Sequence, residues 1–380
     1  MTTTRDRWAE VLTPASRPRE CRESWRFTDL APLRALDPGR LAPRPGAPPD
    51  LPPPAAGVVR LCLGPDGVTF APDPAATPWP DGVRCCAVPP AVSDAPVLAE
   101  RLAAGLPGPA LGLQLAPRAR LRLELVLQPA LPAAVLATQL WFDLAEDASL
   151  ELALGLWGPA DSLLVTCLRA RLAGGAELLE GQRLQGADSA VVLVSGQVQQ
   201  APGSRYARTA VVSGWRLARL EPQVCQSDGQ ASTTFRDLAL ARGQATVDLH
   251  SRVRFGGPEG RLDQLQRALV DDAAQSVFNG VVQVPREAQR TDAAQLSRHL
   301  LLSPRARVDT IPQLEIVADD VRCSHGATVS SLSDDELFYL QSRGVDRILA
   351  RRLLTRGFCR PVLDALPPLA AAWPADGLMP

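Results

Sequence analysis

Lysine is absent from all 380 residues, so every one of the 40 basic side chains is an arginine. A phosphate-binding loop needs a Gly-Lys-Ser/Thr run to reach the β and γ phosphates, and a pyridoxal enzyme needs a lysine for its Schiff base. Neither can be housed here, and any nucleotide hydrolysis linked to this chain belongs to a partner. Charge of one sign is also missing: the formal net charge is -1, and arginines and acids are mixed without blocks. Nothing therefore marks a nucleic-acid or membrane surface. Aromatic residues are scarce, and few basic residues cluster around Trp25, Trp141, Trp157 and Trp215. These tryptophans read as core or interface anchors rather than base-stacking platforms.

No run approaches the ~20 apolar residues of a membrane span. The start, Met1 to Glu10, carries acids early and lacks the apolar centre of an export signal, so a cytoplasmic setting is expected. The eight cysteines, Cys21, Cys62, Cys85, Cys86, Cys167, Cys225, Cys323 and Cys359, include no C-x-x-C pair. That spacing argues against zinc-finger and ferredoxin-type sites, and the count is too sparse for a disulfide scaffold; most are expected to be small buried hydrophobes. Histidines number three. No G-x-S-x-G occurs, and His250 and His299 have no partner identifiable in sequence, so nucleophilic catalysis finds no support. His250 falls on the polar side of its segment and is expected to be exposed.

What is present is a long tract of period-two alternation. Leu121, Leu123, Leu125 and Leu127 alternate with other residues, as do Leu150, Leu152, Leu154 and Leu156, and then Val247, Leu249, Val253 and Phe255. Turn signals such as Glu146-Asp147, Gly174-Gly175, Asp228-Gly229 and Ser303-Pro304 punctuate the tract. With no helical pattern between them, such strands form either a stacked sandwich or a β-solenoid. The solenoid explains better why the tract shows no internal break, because each coil needs only its neighbours.

The flanks differ in composition. Residues 1–40 read as short helices, with Trp8, Val11 and Leu12 at helical spacing and Glu23 to Asp29 leading into Leu30 and Leu33. Residues 41–110 are a Pro-rich connecting region with a few short strands such as Gly57 to Leu63. Residues 111–330 form the β core and 331–380 a helical C-terminal region. There Ser333-Asp334-Asp335-Glu336 is a capping box, Gly344 ends the first helix, Gly357 closes a second, and Pro361 to Leu366 starts a third.

The densest chemistry lies between core and C-terminal region, in Leu314 to Thr328. Cys323 and His325 are two apart, so an extended strand projects both from one face, as two donors approaching one metal require. Spacing alone leaves a buried thiol and a hydrogen-bonded histidine as the commoner outcome. Two donors cannot hold an iron-sulfur cluster without ligands from elsewhere. Asp319 and Asp320 point to opposite faces of a strand and make a poor acid-base dyad; a turn, a solvated pair or second-sphere acceptors for His325 fit better.

The segment closely resembles the SufD family of iron-sulfur cluster assembly proteins. The likeness runs through Phe278-Asn279-Gly280, Leu300-Leu301-Leu302-Ser303, Ala318-Asp319-Asp320-Val321, Cys323-Ser324-His325-Gly326-Ala327-Thr328 and Leu337-Phe338-Tyr339-Leu340, and includes Trp25-Arg26-Phe27-Thr28-Asp29 near the start. The resemblance implies a right-handed parallel β-helix with small helical N- and C-terminal regions. It implies a non-catalytic scaffold subunit working with a SufB-like scaffold and with a SufC-like ABC-type ATPase that grips the C-terminal helical region, and it leaves room for a homodimer. A transient iron-sulfur cluster, shared with the SufB-like partner, would meet this chain at His325, with Cys323 the weaker candidate ligand. The competing readings are a β-helix enzyme such as a polysaccharide lyase, which would need a carboxylate-rich groove, and the sister scaffold SufB.

Overall fold

The computed structural model describes residues 25–36, 50–64, 67–71, 79–90, 97–106, 108–127 and 135–374. Trp8, Val11, Leu12 and Cys21 lie outside them. Among the described residues, nineteen strands, numbered from β1 (Val59–Gly64) to β19 (Arg322–Ser331) in chain order, fall into a ten-stranded and a nine-stranded sheet. From Ala110 onward consecutive strands alternate between the two sheets and pair in parallel with the strand one full turn away. The protein is thus mainly β, a parallel β-solenoid flattened into two facing sheets. A turn takes about 30 residues, with Gln264, Gln295 and His325 in register on consecutive turns.

The alternation of leucines is what closes this structure. Leu121, Leu150 and Leu178 stand in one row across three turns, and Leu123 and Leu152 start the next, all buried in a single core cluster that fills the lumen. Each such side chain contributes about 2 kcal/mol on burial. Along one side of the solenoid, seven successive corners carry a residue in the left-handed region. Arg118, Asp147, Gly175, Gly203, Gln230, Glu259 and Arg290 occupy successive corners with φ between 52° and 77°. Several of their amides donate to the carbonyl of the next corner, as from Asp147 to Gly174 at 3.1 Å and from Arg290 to Asp320 at 2.5 Å. Asp319-Asp320 is therefore the last corner of the solenoid.

The two ends differ. At the start, the short antiparallel strands β2 (Gly67–Ala71) and β3 (Val83–Cys85) pair with β1 and with β4 (Ala110–Leu115). At the other end, β18 (Arg307–Ile316) and β19 are the outermost strands of their sheets. The Pro-rich stretch before Ala110 thus supplies three strands of the two sheets.

Helices cover the outer faces. Helix α1 (Ala31–Ala35) and helix α2 (Leu98–Gly105) lie on the nine-stranded sheet, where Trp25, Leu33, Leu98 and Leu102 bury Leu163, Val165, Val191 and Leu217. Helix α3 (Asp334–Ser342) starts at the expected capping box, the Ser333 hydroxyl accepting from the Glu336 amide at 3.3 Å. Helix α4 (Arg347–Leu363) departs from expectation: it runs unbroken through Gly357 and Pro361, where sequence places a stop and a restart. Cys359 and Val362 pack on Val211, Leu238, Leu240, Leu269 and Leu300 of the ten-stranded sheet, and this burial outweighs the cost of an interior proline. Helix α5 (Pro368–Ala371) ends the docked segment against Ala153, with Trp373 at 5.3 Å from Trp157.

Candidate functional site at the open end

Cys323 and His325 lie on β19, whose one neighbour is β17 (Asp292–Leu301), in the register Cys323↔Ala293, His325↔Gln295 and Val329↔His299. Ala293, Gln295, Ser297 and His299 are the buried, lumen-facing residues of β17. The same alternation puts Cys323 and His325 on the lumen face of the final turn, where Cys323 packs against the core and His325 is exposed. The shared face expected from their spacing is what the register shows.

Hydrogen bonding at this edge is equally regular. The Arg322 amide donates to Thr291 at 2.9 Å, so by the parallel pattern the even-numbered amides serve β17. Those of Cys323, His325, Ala327 and Val329 point to the free edge. On β18 the Arg307 amide donates inward to Ala274 at 3.0 Å, which leaves the even positions facing out. One of these is Pro312, which has no N–H to offer, so the edge of β18 is interrupted and that of β19 is continuous.

Electrostatics separate the two candidate ligands. Burial pushes the Cys323 thiol above its ordinary value, the Asp292 carboxylate adds to the rise, and a hydrogen bond from the Ala293 backbone opposes it. The thiol is therefore protonated at neutral pH in this chain and becomes a ligand only if a metal displaces its proton. Among the described residues no three His, Cys, Asp or Glu side chains converge on a common point where they could hold a metal ion.

Behind this edge the lumen turns polar, which the leucine pattern of the earlier turns does not foretell. Tyr206 donates to Glu180 at 2.6 Å, Arg208 pairs with Asp237 at 2.7 Å, and Gln264 donates to Ser251 at 2.8 Å, all buried. Closer to the end, Gln295 donates to Gln264 at 3.0 Å, and the Ser297 and Thr310 hydroxyls hydrogen-bond across the lumen at 3.0 Å. Gly280 has a steric reason to be glycine, because a Cβ there would collide with the Gln295 amide. The signal in sequence was the pair Gln264 and Gln266, at spacing that elsewhere in the tract carries leucine.

The N-terminal motif is structural. Trp25 stacks on Arg219 at 4.1 Å, and the Thr28 hydroxyl donates to Asp248 at 2.5 Å. Arg219, fully buried, pairs with Asp248 at 2.6 Å and Glu221 at 2.8 Å. Burial alone would raise the Asp248 carboxyl, yet Arg219, His250 and Thr28 hold it down at about 2. His250, expected to be exposed, is 13% exposed with Nε2 2.9 Å from Asp248, because that carboxylate draws it inward.

A lumen-facing thiol and imidazole on the outermost strand of one sheet define a β-solenoid protein whose candidate site lies at the end of its final turn. Comparison with known families places residues 131–358 in the SUF system FeS cluster assembly, SufBD core domain family. The chain belongs to that family. A SufBD family iron-sulfur cluster assembly protein of Synechocystis is 44% identical over 170 residues, 45% of this chain and 38% of that protein. The iron-sulfur cluster assembly protein SufD of Escherichia coli is 44% identical over 103 residues, 27% of this chain and 24% of that protein. SufD of Bacillus subtilis is 35% identical over 140 residues, 37% and 32% of the two chains. This chain thus aligns with well under half the length of these relatives. Among the described residues no helix is long and apolar enough to cross a membrane.

Proposed function

We propose that this chain is the SufD-side scaffold subunit of a SUF complex, where it helps build a nascent iron-sulfur cluster at its interface with a SufB-like partner. The observation that carries the reading is the placement of His325 on the lumen face of a ten-residue strand whose other edge is unpaired among the described residues. A partner strand added to that edge would satisfy the outward amides of Cys323, His325, Ala327 and Val329, and would bring its own donors beside the imidazole. The cluster is cargo here. His325 supplies one ligand, Cys323 a second only after losing its proton, and the partner the remainder.

The scaffold is non-catalytic, and ATP hydrolysis falls to a SufC-like ATPase. Its docking surface is supported by α3 and the first half of α4, where Phe338, Tyr339, Ile348, Leu349 and Leu353 are 73, 59, 68, 45 and 47% exposed. So many large apolar side chains close together mark an interaction site. The division into a solenoid core and a helical C-terminal region corresponds to these two interfaces, and a cytoplasmic complex is expected.

The test is anaerobic co-expression with SufB-like and SufC-like partners, followed by iron and sulfide analysis of the purified complex. His325→Ala is expected to leave the complex intact and remove its cluster, and Cys323→Ala to have the smaller effect. A full complement of iron and sulfide in the His325→Ala complex would reject the site.

A further inference from the structure

Gln295 is buried, 2% exposed, and its amide orientation is set from behind. Its Nε2 donates to Gln264 Oε1 at 3.0 Å, and Gln264 Nε2 donates in turn to Ser251 Oγ at 2.8 Å on the facing sheet. With the NH2 group committed inward, the amide oxygen is the free end. That oxygen is inaccessible to solvent and accepts no hydrogen bond from any described residue, a costly arrangement for a buried carbonyl one strand from the open end. The residue in register with it on β19, on the same lumen face, is His325.

We infer that Gln295 is the positioning residue for His325. Its Oε1 accepts the N–H of one ring nitrogen and thereby directs the lone pair of the other toward the interface. Histidine ligands commonly rely on such a partner, since the acceptor fixes both tautomer and ring orientation before the metal arrives. The Ser251–Gln264–Gln295 row is then a brace running across the lumen, and Gly280 leaves the space in which Gln295 lies. The inference deepens the functional reading above and rests on it for the purpose of the orientation, though not for the contact itself.

The test exploits the three histidines of the chain. In the metal-free full chain labelled with 15N-histidine, long-range proton–nitrogen spectra at pH 8 read the tautomer of each ring, and His325→Ala assigns its signals. His325 is expected to depart from the tautomer ratio of free histidine. Gln295→Leu is expected to return it, a change of about fivefold for one ordinary hydrogen bond. Gln295→Glu, which keeps an acceptor oxygen, is expected to preserve the bias. Unshifted His250 signals report that the variants are folded. A free-histidine ratio in the unmodified chain, or a ratio that Gln295→Leu leaves unchanged in a folded protein, overturns the inference. Because this measurement needs neither cluster nor partner, its failure is separate from that of the scaffold reading, which His325→Ala tests in the complex.

Discussion

His299 is the plainest case of one residue setting a property of the whole chain. It is 1% exposed, neither ring nitrogen has a partner among the described residues, and burial lowers its pKa to about 4 from an ordinary 6.5. The folded chain therefore refuses a proton that the unfolded chain accepts. Stability from this source is complete above 6.5 and declines as pH falls toward 4, by about 3 kcal/mol across that window. Urea titrations at pH 7 and pH 4.5 are expected to show that His299→Leu loses less stability on acidification than the unmodified chain does. A second residue-scale expectation concerns Arg219→Met, which strands the buried Asp248 and Glu221 carboxylates and is expected to cost roughly 3–5 kcal/mol. Thr28→Val, removing one buried hydrogen bond, is expected to cost about 1–2 kcal/mol on the same assay. Single residues were read unevenly from sequence. The shared strand face of Cys323 and His325 was legible because a period of two needs no tertiary information. The burial of His250 was not, since it depends on Asp248 being locked by Arg219, whose partners come from segments far apart in the chain. Only Cys167 and Cys359 are buried among the seven described cysteines, fewer than thiol hydrophobicity suggested, because several fall on outward or corner positions of strands.

Elements obey the same distinction between local and distant causes. The capping box before α3 and the left-handed corner at Asp147 are local, and both were readable. The continuity of α4 through Pro361 is a tertiary effect, imposed by the sheet that Cys359 and Val362 cover. The approach of α5 to the ten-stranded sheet depends on Gly181, where a Cβ would collide with Ala370 and stand 3.0 Å from Pro367. Gly181→Ala is expected to lift α5, costing about 1–3 kcal/mol and exposing residues near Trp373 to protease. Arg183 donates to Pro374 O at 2.6 Å, a contact that lifting α5 would strain.

At the scale of the whole molecule, protection is expected to grade along the solenoid axis. Strands in the middle turns are paired on both sides, whereas β19 is paired on one side only among the described residues, leaving half of its amides without a described strand partner. Hydrogen exchange of the isolated chain should be fastest in β18 and β19 within the solenoid and should slow there on complex formation. Val329→Pro, which deletes an outward amide while sparing those bonded to β17, is expected to weaken partner binding with little loss of stability; unchanged affinity would move the interface elsewhere. The two ends of the solenoid carry one more consequence. The starting edges are short strands of five and three residues, and the final edge of β19 is ten residues long and uninterrupted. If strand addition is confined to the long final edge, each chain can pair in this way only once, and growth into a fibre by that route stops at the first pairing.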